Sequence, residues 1–351
     1  MLKEKLKLGV LFGGMSTENK VSIASAGSVL QNLDTKKYDI YPIYIDIYGV
    51  WYQCEEPYKN YKMNQELSSI KKIKNIIEFV RSLDVVFPVL HGLYGEDGTI
   101  QGLLEMIKIP YVGCKVLASS IAMDKVYSKI VFEKAGLHQA KYQYVKRMQG
   151  QYALINDEFE EELLSLNEIA EKIIEKIKFP MFIKPSNSGS SVGINKAKDK
   201  KELIYAIIQA ADYDEKILIE EGIVGKEVEC AVLGNKDITA SKVGEIISAE
   251  SFYSFSAKYE KKESKTLIPA NISESISEEI RKQAIRAFKA IDGSGLSRVD
   301  FFVEKDTERI YINEINTLPG FTNISMYPKL FEASGISYQE LLNNLIDLAR
   351  C

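Results

Sequence analysis

Apolar residues in the first third of the chain come in short unbroken runs, separated by stretches where they recur every three or four positions. The runs "KLGVLFGG" (7–14), "YDIYPIYID" (38–46) and "DVVFPVLHG" (84–92) predict buried strands, the first closing in a glycine turn. "TENKVSIASAGSVLQNL" (17–33) and "GTIQGLLEMI" (98–107) carry helical periodicity, and "IPYVGC" (109–114) follows the second. Strands alternating with helices predict an α/β lobe with a doubly wound parallel sheet. Such sheets bind ligands at the carboxyl ends of their strands, where "FGGMSTE" and "LHGLYGEDG" fall.

Near residue 120 the pattern changes. "SIAMDKVYSKIVFEKAG" (120–136) predicts one helix stopped by Gly136, and the acidic run near 157–178 predicts another. The apolar runs "PMFIKP", "ILIEEGI" and "EVECAVLG" predict strands, so the middle of the chain reads as a second, α+β lobe. A third lobe holds a helix near 277–291, the strands "SRVDFFVE" and "RIYINEIN", and a closing helix "SYQELLNNLIDLAR". The expected divisions are 1–120, 121–222 and 223–351. No internal repeat or low-complexity segment interrupts them.

Composition narrows this picture without redirecting it. A chain of 351 residues exceeds one ordinary core. Its 45 Lys and Arg nearly balance 49 Asp and Glu, and the net charge of −4 speaks against a nucleic-acid partner. The cysteines Cys54, Cys114, Cys230 and Cys351 form no C-x-x-C pair, and His91 and His138 are too few for a zinc site. No segment is long and apolar enough for a membrane span, and the N-terminus runs straight into a strand. A reduced, cytoplasmic location is expected.

Three places carry candidate chemistry. "KPSNSGSSVG" (184–193) looks made for phosphate, yet no Lys-Ser or Lys-Thr follows its glycines, so it is not a P-loop. Lys184 instead leaves a buried strand just before the loop, where it can neutralise phosphate as a point charge. The two strands after residue 296 form the second place. Side chains alternate across a strand, so Arg298 and Asp300 share a face, as do Glu314 and Asn316. A turn centred on Thr307 sets Asp300 opposite Glu314. Two carboxylates and an amide oxygen suit Mg²⁺ with substrate phosphates, though the same pattern fits a solvated ion-pair cluster. The third is the first-lobe strand end, where His91 precedes a glycine and an acidic turn. Glu18 lies in the first turn of a helix, where the dipole alone favours a glutamate.

Taken in order, "GGMSTE", "HGLYGEDGTIQG", "MDK", "KPSNSGSSVGI", "LIEEGIVGKEVE", "FYSFSAKY", "SRVDFFV" and "NEINTLPGFTNIS" resemble the D-alanine–D-alanine ligases of the ATP-grasp superfamily over nearly the whole chain. The resemblance implies a first lobe followed by a two-lobed α+β ATP-grasp domain, with ATP held between those two lobes. It implies that Lys125, Lys184 and Lys258 contact phosphates, that Glu220 and Glu227 bind adenine and ribose, and that Phe252 lies by the adenine. Asp300, Glu314 and Asn316 would hold two Mg²⁺ ions, with Mn²⁺ as a substitute. Glu18 would bind the ammonium of the first D-alanine, with His91 near its carboxylate. Glu18, Ser190 and Tyr259 would form a hydrogen-bonded triad, Arg298 and the Gly320 N–H an oxyanion site, and Ser325 with Met326 a seat for the second D-alanine.

The implied reaction makes D-alanyl-D-alanine for peptidoglycan through an acyl phosphate, in an enzyme that family habit makes a homodimer. Two positions depart from the usual family pattern. Asn19 stands where a histidine is common, and Ser188 where a glutamate is. Tyr259 disfavours D-lactate as second substrate, and Met326 disfavours D-serine. A nucleotide-binding regulator without turnover would be expected to lack some of Arg298, Asp300, Glu314, Asn316 and Gly320, and all are present.

Overall fold

The computed structural model describes residues 4–63, 65–189, 192–247 and 265–351. Among these the strands build three sheets. The first contains β1 (Leu6–Gly13), β2 (Tyr38–Ile45), β3 (Trp51–Cys54), β4 (Ile70–Lys72) and β5 (Val85–Pro88), in the order β4-β3-β2-β1-β5. Strand β1 is parallel to both β2 and β5, as the strand–helix alternation predicts. β3 and β4 are antiparallel, so the sheet is mixed and not wholly parallel. Only residues 46–50 separate β2 from β3, too few for the crossover that a parallel neighbour needs.

The second sheet is antiparallel and runs β10-β9-β11-β6-β7-β8. Its strands are β6 (Tyr142–Met148), β7 (Gln151–Ile155), β8 (Glu161–Leu164), β9 (Met181–Pro185), β10 (Asn195–Ala197) and β11 (Lys216–Glu221). Helices Leu166–Lys176 and Lys200–Ala210 cover one face, burying Ile169, Ile173, Leu203 and Ile207. The acidic run near 157–178 is therefore not one helix. Glu161–Leu164 pairs with β7, and the helix waits for Ser165, which forms a reciprocal capping box with Glu168.

The third sheet, order β14-β13-β12-β15-β16, joins β12 (Gly225–Gly234), β13 (Thr239–Ile247), β14 (Lys265–Leu267), β15 (Gly295–Glu304) and β16 (Ile310–Asn316). Helix Glu274–Ala290 packs Ile280, Ala284, Ala287 and Phe288 against it. Ala118, Ala122, Phe132 and Leu137, from the stretch after the first lobe, enter the same core. A second core, which also takes Leu233 and Leu296 from the third sheet, joins Phe12 and Phe87 of the first sheet to Phe321, Tyr327, Phe331 and Leu345 of the C-terminal segment. Phe87 and Phe321 meet edge to face at 5.6 Å. The second sheet keeps a core of its own.

The helix expected over 120–136 is two helices, Val116–Met123 and Lys125–Lys134, broken at Asp124. Asp124 is extended, and its side chain accepts from the N–H groups of Val126 and Tyr127, both at 3.1 Å. A residue that caps one helix cannot sit inside another. No helix among the described residues is long and apolar enough to cross a membrane.

Candidate active site

The hairpin of β15 and β16 pairs Arg298 with Asn316 and Asp300 with Glu314, the register expected from the sequence. It reaches that register by a bulge. Val303 pairs with Ile310, and an extra residue on β16 between the pairs Phe301–Ile312 and Asp300–Glu314 shifts the count by one. The extra residue is Asn313, whose Oδ1 accepts from Lys184 Nζ at 3.4 Å. Arg298 grips Asp300 through two bonds, Nε to Oδ1 at 2.7 Å and Nη2 to Oδ2 at 2.6 Å, and reaches Glu229 Oε2 at 3.1 Å. Burial would lower the Arg298 pKa, but Asp300 and Glu229 outweigh it and hold the guanidinium charged.

Lysines gather on the opposite wall. Lys184 on β9 lies diagonally across from Glu220 on β11, and its Nζ meets Glu220 Oε2 at 2.6 Å. The other carboxylate oxygen, Oε1, meets Lys129 Nζ at 2.5 Å. Burial alone would raise the Glu220 pKa, yet Lys129 and Lys184 bring it down to about 2, so it is ionised at neutral pH. The same carboxylate raises Lys184 against the effect of burial. Lys125, one helical turn before Lys129, donates to Ser188 O at 2.5 Å.

The helix break fixes these groups. Asp124 also accepts from Ser186 Oγ at 2.6 Å and from Lys216 Nζ at 2.5 Å, and the Lys125 N–H donates to Ser186 O at 3.1 Å. One carboxylate thus ties the start of the Lys125 helix to the root of the Gly/Ser loop. Burial would raise its pKa; Lys216 and Ser186 outweigh that and lower it.

From the first lobe comes Glu18, at the N-cap of helix Asn19–Asn32 and buried, with no capping bond from its side chain. Its Oε2 lies where the loop passes: a Cβ on Gly189 would come within 2.8 Å of it. A side chain at 189 would push the Glu18 carboxylate aside. His91 is buried, with Nε2 3.1 Å from Ser25 Oγ and Nδ1 3.2 Å from Leu318 O. Ser25 Oγ also accepts from the Phe321 N–H at 3.4 Å, next to Gly320. Ser325 Oγ accepts from the Thr322 N–H at 3.0 Å and touches Thr322 Oγ1 at 2.7 Å. Both departures have local work. Asn19 Nδ2 donates to Gly14 O at 2.7 Å, holding the glycine turn, and Ser188 Oγ donates to Val192 O at 3.1 Å across the loop.

One cleft of about 530 Å³ brings these walls together. Glu18 and His91 line it from the first lobe; Lys125, Lys184 and Glu220 line it from the middle of the chain. Glu227, Arg298, Glu314, Asn316, Gly320, Ser325 and Met326 complete it from the C-terminal third. Asp300 is buried behind Arg298 and is not part of the wall. Ser190, Phe252, Lys258 and Tyr259 lie outside the described residues. Asn313, Lys129, Ser25 and Thr322 were not expected. Lys129 had a readable signal in its four-residue spacing from Lys125, and Ser25 in the serines at 22, 25 and 28 on an otherwise apolar helix face.

The hairpin also offers oxygen donors to a metal ion. Among the described residues no three of His, Cys, Asp and Glu converge as a ready-made cage. Glu314 and the Asn316 amide face the cleft, and Asn316 Oδ1 is oriented by the Leu318 N–H at 2.9 Å. Oxygen donors that few suit Mg²⁺ completed by phosphate and water, and not a transition metal held by protein alone. The donor set fits.

The family model described as D-ala D-ala ligase N-terminus matches residues 7–114, and that described as D-ala D-ala ligase C-terminus matches residues 131–347. The chain belongs to the D-alanine–D-alanine ligase family. It is 50% identical to the D-alanine–D-alanine ligase of Acetivibrio thermocellus, over 99% of this chain and 96% of that one. With the enzyme of the same name from Clostridium acetobutylicum it shares 49% identity over 98% of both. Among solved structures it is similar to the VanG D-Ala:D-Ser ligase of Enterococcus faecalis, with a TM-score of 0.84 and 37% identity, covering 99% of this chain and 100% of that one. The D-alanine–D-alanine ligase of Coxiella burnetii gives a TM-score of 0.82 at 34% identity, covering 99% and 94%.

Proposed function

We propose that the protein is an ATP-dependent ligase that joins two D-alanines for peptidoglycan synthesis, working in the cytoplasm as a homodimer. Its fold, on this reading, is a first lobe (1–120) followed by the two lobes of an ATP-grasp domain (121–222 and 223–351). The observation that carries the reading is a single cleft in which Glu18, the lysines beside the Gly/Ser loop, and the Arg298–Asn316 wall all meet.

The chemical problem is charge, because a carboxylate must approach an anionic phosphate. Two Mg²⁺ ions would neutralise the phosphate oxygens, held by Glu314 and Asn316 from the cleft wall and by Asp300 once Arg298 yields one of its two oxygens. Lys125 and Lys184 add positive charge from the opposite wall, and Glu220 and Glu227 accept hydrogen bonds from the adenine amino group and the ribose hydroxyls. Glu18 holds the ammonium of the first D-alanine and so points its carboxylate toward the γ-phosphate. A carboxylate oxygen then bonds to phosphorus as the bond to ADP breaks. The amine of the second D-alanine, seated by Ser325 and Met326, attacks the acyl carbon. A C–N bond forms, the amine loses its proton, and phosphate leaves. Arg298 and the Gly320 N–H stabilise the oxyanion of that step. By family likeness, Ser190 and Tyr259 complete a triad with Glu18, while Phe252 and Lys258 complete the nucleotide site.

Phosphate release with ATP and Mg²⁺ tests this, with D-alanine, D-serine and D-lactate offered in turn as second substrate. D-Alanyl-D-alanine should dominate the products at about pH 8, and Tyr259→Phe should shift them toward D-lactate. The likeness to a D-Ala:D-Ser ligase makes D-serine the pointed comparison. Preference for D-serine over D-alanine would overturn the substrate assignment and leave the ligase chemistry standing.

A further inference from the structure

Lys129 is a lysine that nothing above requires. Its side chain is 2% exposed, on the helix Lys125–Lys134 and behind the cleft wall, and it is absent from the cleft lining. Among the described residues its one ion pair is with Glu220 Oε1 at 2.5 Å, and the Tyr142 ring centroid is 5.4 Å from its Nζ. Sealing an ammonium this deeply is costly unless its charge is used. The same carboxylate holds Lys184 at 2.6 Å through its other oxygen, so one anion is shared by two cations.

That sharing has a consequence for nucleotide binding. A phosphate that draws the Lys184 ammonium into the cleft weakens its 2.6 Å hold on Glu220. With Lys184 as sole partner, the move would leave a buried carboxylate without a cation, at a cost that sets itself against binding. With Lys129 on the far side, the carboxylate stays paired throughout.

We infer that Lys129 is a positioning residue for the nucleotide: it holds Glu220 from behind and frees Lys184 to exchange that carboxylate for a phosphate. The inference rests on the reading of Lys184 as a phosphate contact. It assigns Lys129 no contact with substrate. It predicts that Lys129 matters for ATP and not for D-alanine, and that it matters only while Glu220 is charged.

The test compares the parent, Lys129→Met, Lys129→Arg, Glu220→Gln and the double variant Glu220→Gln/Lys129→Met. ATP affinity is measured by calorimetry with Mg²⁺ present, alongside KM for ATP and for D-alanine. Lys129→Met should weaken ATP binding by roughly tenfold or more, with KM for D-alanine within about twofold of the parent. Lys129→Arg, which keeps the cation, should recover ATP affinity to within about threefold. In the Glu220→Gln background the Met substitution should change ATP affinity by less than about threefold, because no buried anion is left to hold.

Unchanged ATP affinity in Lys129→Met overturns the inference, and so does an equal loss in both backgrounds, which is what a packing role would give. If Lys129→Met does not fold, the neutral double variant set against Glu220→Gln alone still decides, since a loss of about tenfold there overturns it. A parent that fails to bind ATP overturns the inference and the phosphate reading together. A parent that binds and turns over ATP while Lys129→Met matches it removes only the inference.

Discussion

Arg298 offers the sharpest single perturbation. Its guanidinium makes two bonds to Asp300, at 2.7 and 2.6 Å, and a contact to Glu229 at 3.1 Å, with both carboxylates buried. Lysine keeps the charge but is a point donor on a different stem, and it cannot reproduce the parallel pair while also reaching Glu229. Losing one such charge-assisted bond costs about 1.5–3 kcal/mol. Methionine removes the cation as well, and breaking a buried pair from one side costs about 3–5 kcal/mol. Catalysis should fall further than stability. If Arg298 is an oxyanion donor, its loss lowers kcat by about 10²–10³. The assay is ADP release at saturating ATP, Mg²⁺ and D-alanine, with urea unfolding followed in parallel. Arg298→Lys should therefore remain folded, with a lower midpoint, and be close to inactive. A folded Arg298→Lys enzyme with kcat within about threefold of the parent would refute the oxyanion role.

Other outcomes follow from the same wall and its neighbours. Glu314→Gln should leave the fold intact and cut turnover by about tenfold or more at limiting Mg²⁺, and a normal Mg²⁺ titration curve would remove it from the metal site. Asp124→Asn keeps a capping oxygen but loses the charge facing Lys216, so stability should drop by about 1–3 kcal/mol and KM for ATP should rise; an unchanged KM would separate the helix break from the nucleotide. Acid should also act on the buried pairs. Glu220 has a folded pKa of about 2 against an ordinary 4.5, and Asp124 is lowered too, so their stabilisation is full above the unfolded values. It should be lost as pH falls from about 4.5 toward about 2, and Glu220→Gln should flatten that part of a urea-midpoint profile.

What could be read from the sequence was whatever depends on near neighbours. Alternation along two strands set Asp300 against Glu314, and the structure keeps that pair. The route to it was hidden, because a bulge at Asn313 is a backbone event with no side-chain signature. Asp124 reads as an interior position of one helix until Lys216 and Ser186 are brought to it from the second sheet. The antiparallel edge of the first sheet follows from a short connection, which the count of residues between the β2 and β3 runs could have revealed. Lys129 and Ser25 left a trace in their helical spacing, but their partners Glu220 and His91 are brought to them only by the fold, whereas Thr322 meets Ser325 within one local turn.

The shared core of Phe12, Phe87, Phe321, Tyr327 and Leu345 bears on how the molecule comes apart. Two regions nearly the length of the chain apart bury the same apolar surface, so neither can melt without exposing the other. The second sheet has most of its core to itself, in Ile169, Ile173, Leu203 and Ile207, and is joined to the rest through Val126 and the Asp124–Lys216 and Lys129–Glu220 pairs. In hydrogen exchange, the amides of β1 and of helix Tyr338–Leu348 should therefore open as one cooperative unit, and β9 and β11 as another. The lone tryptophan, Trp51, is buried at the start of β3 in the first sheet and reports the first unit alone. A Leu345→Ala substitution should thus shift the Trp51 fluorescence midpoint, although the two residues belong to opposite ends of the sequence.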